Sequence, residues 1–303
     1  MPTLEHLLLY FTSPLPLTAI AIPTLVASSI GLGLRRNQWE SAARSKFLLL
    51  LLGLSMFVWT FLAFSVIACS FLWETYETNS VQGVKVVLGS ALVAAVGLSV
   101  PLSFAIRILA SRLVLRRLGI QAIVDPLIHG IFNHLKRVMN LGAVSIFETG
   151  LAEPVSFALD KQYVVVSKRL RSLLDEDELR AVLAHELAHI RNGDSTIKGV
   201  ISTYTRLLPV DPVMRFVEPA YHREREYLAD ETAAYTTRNP LALASALIKI
   251  HQALPAATRG WLSALSIAGP SRGLFAKHPS LEKRVERLIR LSETFMREAL
   301  VSL

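Results

Sequence analysis

Asp175-Glu-Asp-Glu-Leu-Arg-Ala-Val-Leu-Ala-His-Glu-Leu-Ala-His-Ile-Arg-Asn-Gly-Asp194 reads as a complete helix that carries its own start and stop signals. Asp175 is placed to cap the N-terminus, and Glu178, three residues on, completes a capping box. Glu176, Asp177 and Glu178 put negative charge where the helix dipole favours it. Arg191 falls in the last turn, and Gly193 follows as the residue that leaves the helix. Inside this frame His185 and His189 are spaced i, i+4 and share one face. Two imidazoles so placed suit one zinc ion, with Glu186 one residue around the helix as general base for the attacking water.

A second run, His-Arg-Glu-Arg-Glu-Tyr-Leu-Ala-Asp at 222–230, supplies what the first lacks. A catalytic zinc takes three protein ligands and keeps a fourth position open. Glu226 is the candidate third ligand, and His222, one turn earlier, is its rival. Asp230 is i+4 from Glu226 and is placed to accept the free N–H of a ligating imidazole, fixing its tautomer and raising its basicity. His185 is the preferred partner, although spacing alone leaves His189 open.

The chain has 303 residues, 52% of them apolar, and its positive mean hydropathy is high for a soluble protein. Three uncharged stretches are long enough to cross a bilayer, which takes about 20 residues. They cover about 15–34, 47–73 and 86–106. No basic segment precedes the first, so a cleaved signal peptide is disfavoured. Arg35, Arg36, Arg44 and Lys46 follow the first span, and Arg107, Arg112, Arg116 and Arg117 follow the third, whereas Glu74, Glu77 and Lys85 separate the other two. The positive-inside rule puts the N-terminus outside and everything beyond residue 107 in the cytoplasm. The expected organisation is a membrane domain over 1–117 and a cytoplasmic zinc metallopeptidase domain over 118–303.

The net charge of +8 follows from these topology determinants, and no basic stripe with interleaved aromatics points to nucleic acid. Cys69, the single cysteine, lies inside the second span and forms no intramolecular disulfide. Beyond residue 118 the pattern predicts helices over 125–139, 168–174, 176–191, 223–235, 240–253 and 280–300. Strands are expected over 143–147, 154–159 and 163–167. Residues 195–220 read as mixed, broken by Pro209, Pro212 and Pro219, and 255–277 as a long loop. The fold class is mostly α, of the α+β kind. His6, His129, His134 and His251 read as surface or core polar groups.

At this point three blocks agree with a known family. H-E-L-A-H-I-R-N-G-D at 185–194, R-E-Y-L-A-D at 225–230 and L-F-A-K-H-P-S-L-E-K-R at 274–284 resemble the HtpX-type membrane zinc metallopeptidases, relatives of the CAAX prenyl proteases. The blocks stand in the family's order, and the resemblance covers roughly residues 120–292. It implies a gluzincin-like core, one Zn2+ per chain, Glu226 as third ligand and endopeptidase activity on membrane or misfolded proteins. It also implies that 154–159 is an edge strand pairing with extended substrate, with Ser156, Phe157 and Ala158 as substrate contacts. There the family has an Asn-Ala-Phe-like run and this chain has Val155-Ser156-Phe157-Ala158. His278, in the third block, becomes the candidate donor to the developing oxyanion, with Tyr221 and Tyr227 as alternatives. Topology departs from the bacterial pattern of two spans on each side of the zinc motif. Three spans precede it here, and the 31 residues between Asp194 and Glu226 hold Arg206, Asp211 and Arg215, so no membrane hairpin fits. A many-span prenyl-protease chamber is excluded for this chain alone.

The reading is a multi-pass cell-membrane zinc endopeptidase of protein quality control and stress response, acting on protein or peptide substrates beside the lipid bilayer. Two rivals remain. One is a sensor-transducer metallopeptidase resembling the β-lactam antirepressor receptors, which carry a sensor domain for which this chain has no evident room. The other is an idle membrane scaffold, against which the retention of His185, Glu186, His189, Glu226 and Asp230 argues. Reporter fusions after Thr78 and at the C-terminus are expected to report opposite sides of the membrane. Both on the same side would mean that the first or third span is misassigned.

Overall fold

The computed structural model describes residues 42–55, 57–58, 119–159, 162–194, 197, 201, 212–254 and 278–301. The chain divides into two compact units, 1–108 with 200–218 and 109–199 with 219–303. In the first, residues 42–55 and 57–58 are helical, and Leu48, Leu51 and Leu52 are buried. The rest of the three expected spans lies outside the described residues. Among the described residues no helix is long and apolar enough to cross a membrane.

The second unit is mostly helical with a small sheet. Strands β1 (Gln121–Ala122), β2 (Ser145–Thr149), β3 (Ser156–Leu159) and β4 (Tyr163–Ser167) stand in the order β1-β2-β4-β3. β2 and β4 run parallel with Ser145 opposite Tyr163 and Thr149 opposite Ser167. β3 runs antiparallel to β4, with Ser156 opposite Val166, and occupies one edge of the sheet. β2 sits two residues later than the β-branched run suggests, because its ladder with β4 sets the register.

Period-two alternation divides the sheet's side chains between two cores. Ile146, Val164 and Val166 join the main core under the helices, whereas Phe157 and Val165 form a separate cluster with Ile120, Phe147, Leu151 and Leu159. The helices are α1 (Pro126–Val138), α2 (Lys168–Leu173), α3 (Glu176–Arg191), α4 (Pro212–Thr237, of which 219–237 belong to this unit), α5 (Pro240–Ala253) and α6 (Leu281–Val301).

α3 is the centre of the unit. Its residues from Ala181 to Ile190 are buried on every face, as expected of a helix enclosed by α1, α5 and β3. Both halves of the capping box form: Glu178 N–H donates to Asp175 Oδ1 at 2.9 Å and Asp175 N–H to Glu178 Oε2 at 3.0 Å. Glu178 is itself buried and accepts from Ser245 Oγ at 2.6 Å and Lys249 Nζ at 2.7 Å, which ties the start of α3 to α5. At the other end Asn192 closes the helix and Gly193 takes φ +70°, a conformation that favours glycine.

The proline reading needs correction. Pro219 lies inside α4 instead of breaking it. A single proline removes one helical hydrogen bond at a cost of about 3 kcal/mol, and a helix of 26 residues outlasts that loss. Asp175→Ala removes the cap of α3 and is expected to cost about 1 kcal/mol, lowering the thermal midpoint by roughly 2–4 °C. Thermal unfolding of the detergent-solubilised protein measures this, and an unchanged midpoint would assign the cap no energetic weight.

Candidate metal centre

The i, i+4 spacing on α3 brings His185 and His189 together with their rings nearly perpendicular and their Nε2 atoms 3.1 Å apart. Glu226, from α4, closes the group. Its Oε2 lies 3.6 Å from His185 Nε2 and its Oε1 3.5 Å from His189 Nε2. The three side chains are buried, and one ligand atom from each falls within 4.8 Å of the others.

The opposite ring nitrogens decide the chemistry. His185 Nδ1 lies 2.9 Å from Asp230 Oδ1, and His189 Nδ1 lies 2.7 Å from Asp194 Oδ2. A neutral imidazole has one N–H. His189 Nδ1 is hydrogen-bonded to Asp194, whereas His185 Nδ1 stands close to Asp230 without the alignment of a hydrogen bond, and the two Nε2 atoms face one another and Glu226. Where both rings carry their proton on Nδ1, the facing Nε2 lone pairs repel unless a cation stands between them. Zinc fits, since bonds of about 2.0–2.2 Å at tetrahedral angles separate ligand atoms by about 3.3–3.6 Å, close to the three distances here.

Among the described residues, Asp194, Glu186, Glu226 and Asp230 are buried carboxylates, with the Arg225 guanidinium beside Asp194 and that of Arg284 beside Asp230. Burial works to lower the pKa of His185, but hydrogen bonding to Asp230 and Glu226 prevails and raises it to about 9.

Each bracing carboxylate is braced in turn. Arg284, from α6, grips Asp230 with two hydrogen bonds, Nε to Oδ2 at 2.7 Å and Nη2 to Oδ1 at 2.5 Å. Burial would raise the Asp230 pKa, yet the Arg284 charge and His185 hold it below the ordinary value. Arg284 Nη1 also reaches to 3.7 Å from Glu226. Arg225 donates from Nε to Asp194 and from Nη2 to the Asn192 carbonyl at 3.3 Å.

Glu186, on the same turn as His185, is 2% exposed and accepts from Ser156 Oγ at 2.7 Å. His278 precedes α6. Its side chain is 14% exposed, and its Nδ1 lies 3.9 Å from Glu226 Oε2 with no hydrogen-bond partner among the described residues. His222 stands apart from the three-residue group, its ring edge-on to Tyr221. Burial pushes the Tyr221 phenol up to about 12. The Tyr227 ring is covered by Arg287, whose guanidinium carbon lies 3.7 Å from its centroid.

Of the residues expected to contact substrate, Ser156 is turned to Glu186, Phe157 is buried in the smaller core, and Ala158 packs against the main core. Sequence reasoning missed Asp194, Arg225 and Arg284. Asp194 had a signal, because it follows the glycine that turns the chain back at the end of α3. The arginines had none, since no spacing rule relates α4 to the end of α3 or α6 to α4.

The family and sequence comparisons agree with a peptidase site. Residues 54–266 match the family described as BlaR1 peptidase M56. A protease HtpX homolog of Salinibacter ruber is 29% identical over 71% of this chain and 97% of its own length. One of Aquifex aeolicus is 30% identical over 58% of this chain and 74% of its own. The crystal structure of S. mikatae Ste24p aligns with a TM-score of 0.41 at 17% identity, over 75% of this chain and 61% of that one. The chain belongs to the BlaR1 peptidase M56 family and is a membrane-associated metallopeptidase, a hydrolase of peptide bonds.

Proposed function

We propose that the protein is a membrane-anchored endopeptidase of protein quality control that hydrolyses membrane or misfolded proteins. Its single Zn2+ is held by His185, His189 and Glu226. The observation that supports this most directly is the pair of facing imidazole nitrogens, 3.1 Å apart, with Glu226 closing the group and Glu186 buried alongside. The membrane domain spans 1–117 with three helices and an external N-terminus, and the catalytic domain, 118–303, is a gluzincin-like unit in the cytoplasm.

A zinc ion bound there supplies Lewis acidity that polarises the scissile carbonyl and makes a water nucleophilic near neutral pH. Glu186 accepts the water's proton and returns it to the leaving amine. Asp230 and Asp194 fix the tautomers of His185 and His189 so that both present Nε2 inward. His278 donates to the oxyanion from the rim of the cluster, a contribution typically worth about 10²–10³ in turnover. Extended substrate adds along the edge strand β3.

A second reading is regulated cleavage of one regulator, favoured by the match to the M56 family over 54–266. Substrate breadth separates the two, since quality control degrades unfolded casein and single-target cleavage leaves it intact.

Glu186→Gln is expected to abolish chelator-sensitive casein hydrolysis while one zinc per chain stays bound, counted by mass spectrometry. Glu226→Ala is expected to lose both metal and activity, and His222→Ala to keep both. Near-normal turnover in Glu186→Gln would remove that residue from the mechanism. Asp194→Asn is expected to weaken zinc binding about 10- to 100-fold in competition with a chelator, with the circular dichroism spectrum unchanged. Equal affinity would reduce Asp194 to a partner of Arg225.

A further inference from the structure

We infer that Ser156 is a positioning residue for the general base. Its hydroxyl holds Glu186 Oε1 and so reserves Oε2 as the oxygen that carries the proton. This rests on the peptidase reading above and names a residue that the zinc chemistry does not require.

Ser156 is fully buried, and its one O–H is directed at Glu186 Oε1 at 2.7 Å, in the short range of hydroxyl-to-carboxylate bonds. The donor is held from both sides along the chain. Val155 N–H donates to Ser167 Oγ at 3.0 Å, and Ser167 N–H returns to the Val155 carbonyl at 2.9 Å. Phe157 is anchored in the smaller core, and Ser156 itself is paired opposite Val166 in the ladder. A hydroxyl on so constrained a strand fixes the direction of whatever it bonds. Without it, the Glu186 side chain is free to swing about torsions that the helix backbone does not restrain.

The consequence lies in the proton's path. Water loses a proton to Glu186 Oε2 as its oxygen bonds the scissile carbonyl carbon. That proton then passes to the amide nitrogen as the C–N bond breaks, so peptide and water become acid and amine. Ser156 donates to Oε1 throughout, whether Glu186 is carboxylate or acid, and exchanges no proton itself. It therefore affects the chemical step and leaves substrate affinity alone. β3 is also an edge strand of the sheet, so the strand proposed to receive substrate also holds the base.

The test uses the full-length, zinc-loaded protein in detergent with casein and a fluorogenic peptide. Ser156→Ala is expected to lower kcat about 10- to 100-fold, with KM within about twofold and zinc content unchanged. Ser156→Thr, which keeps the hydroxyl, is expected to recover most of the loss. In a Glu186→Asp background the shortened carboxylate no longer reaches the hydroxyl, and Ser156→Ala is expected to cost little more. Thermal unfolding supplies a readout independent of turnover, since Ser156→Ala is expected to lower the midpoint in the wild type and not in Glu186→Ala. The proposal is overturned by undiminished turnover per zinc-loaded molecule, or by losses that simply add across the Glu186 variants in both kinetics and unfolding. A wild type without chelator-sensitive hydrolysis would instead overturn the peptidase reading, and the role of Ser156 with it.

Discussion

Two imidazole nitrogens brought face to face inside a protein are the constraint to which the rest of the second unit answers. Helical spacing brings His185 and His189 together, but spacing leaves the rings free to turn and to exchange tautomers. Asp194 removes that freedom from His189 by a hydrogen bond to its outer nitrogen, and Asp230 stands 2.9 Å from the outer nitrogen of His185. Burying those carboxylates is expensive, because an ion moved out of water loses several kcal/mol even after relaxation. Arg284 and Arg225 offset the loss, each at close range to one of the acids. The cluster is thus layered: a cation position, two imidazoles and a glutamate, two aspartates, then two arginines. Each layer satisfies a demand created by the one inside it.

Such layering works only on a rigid frame, and α3 supplies one. The capping-box residue Glu178 has a second task, since the carboxylate that caps the helix is also bonded to Ser245 and Lys249 on α5. Two turns further on, the same helix presents His185, and one turn later His189. A side chain held within a fraction of an ångström needs support from packed elements, and here the helix is enclosed from Ala181 to Ile190.

What the sequence disclosed follows the range of the forces involved. Capping, dipole complementarity and i, i+4 geometry are local, so both ends of α3, the His185–His189 pair and the Glu226–Asp230 pair could be read directly. The grip of Arg284 on Asp230 spans 54 residues, and that of Ser156 on Glu186 spans 30. No local rule reaches so far. Pro219 shows the opposite error, a strong local signal outweighed by the rest of a long helix. β1, with two residues, falls below the length at which alternation carries information.

The commitments of the β3 side chains bear on specificity. Ser156 is used by Glu186, Phe157 by the smaller core and Ala158 by the main one. On the proposed reading, a substrate strand added at this edge would meet main-chain groups, which are the same for every residue type. Recognition by backbone alone supplies affinity and register but little sequence preference. A peptidase that must accept many misfolded chains gains from such an edge. By the same reasoning, Phe157 belongs to the fold of the sheet: truncating it empties the smaller core and disturbs Ser156 through the chain, so its loss registers first as instability.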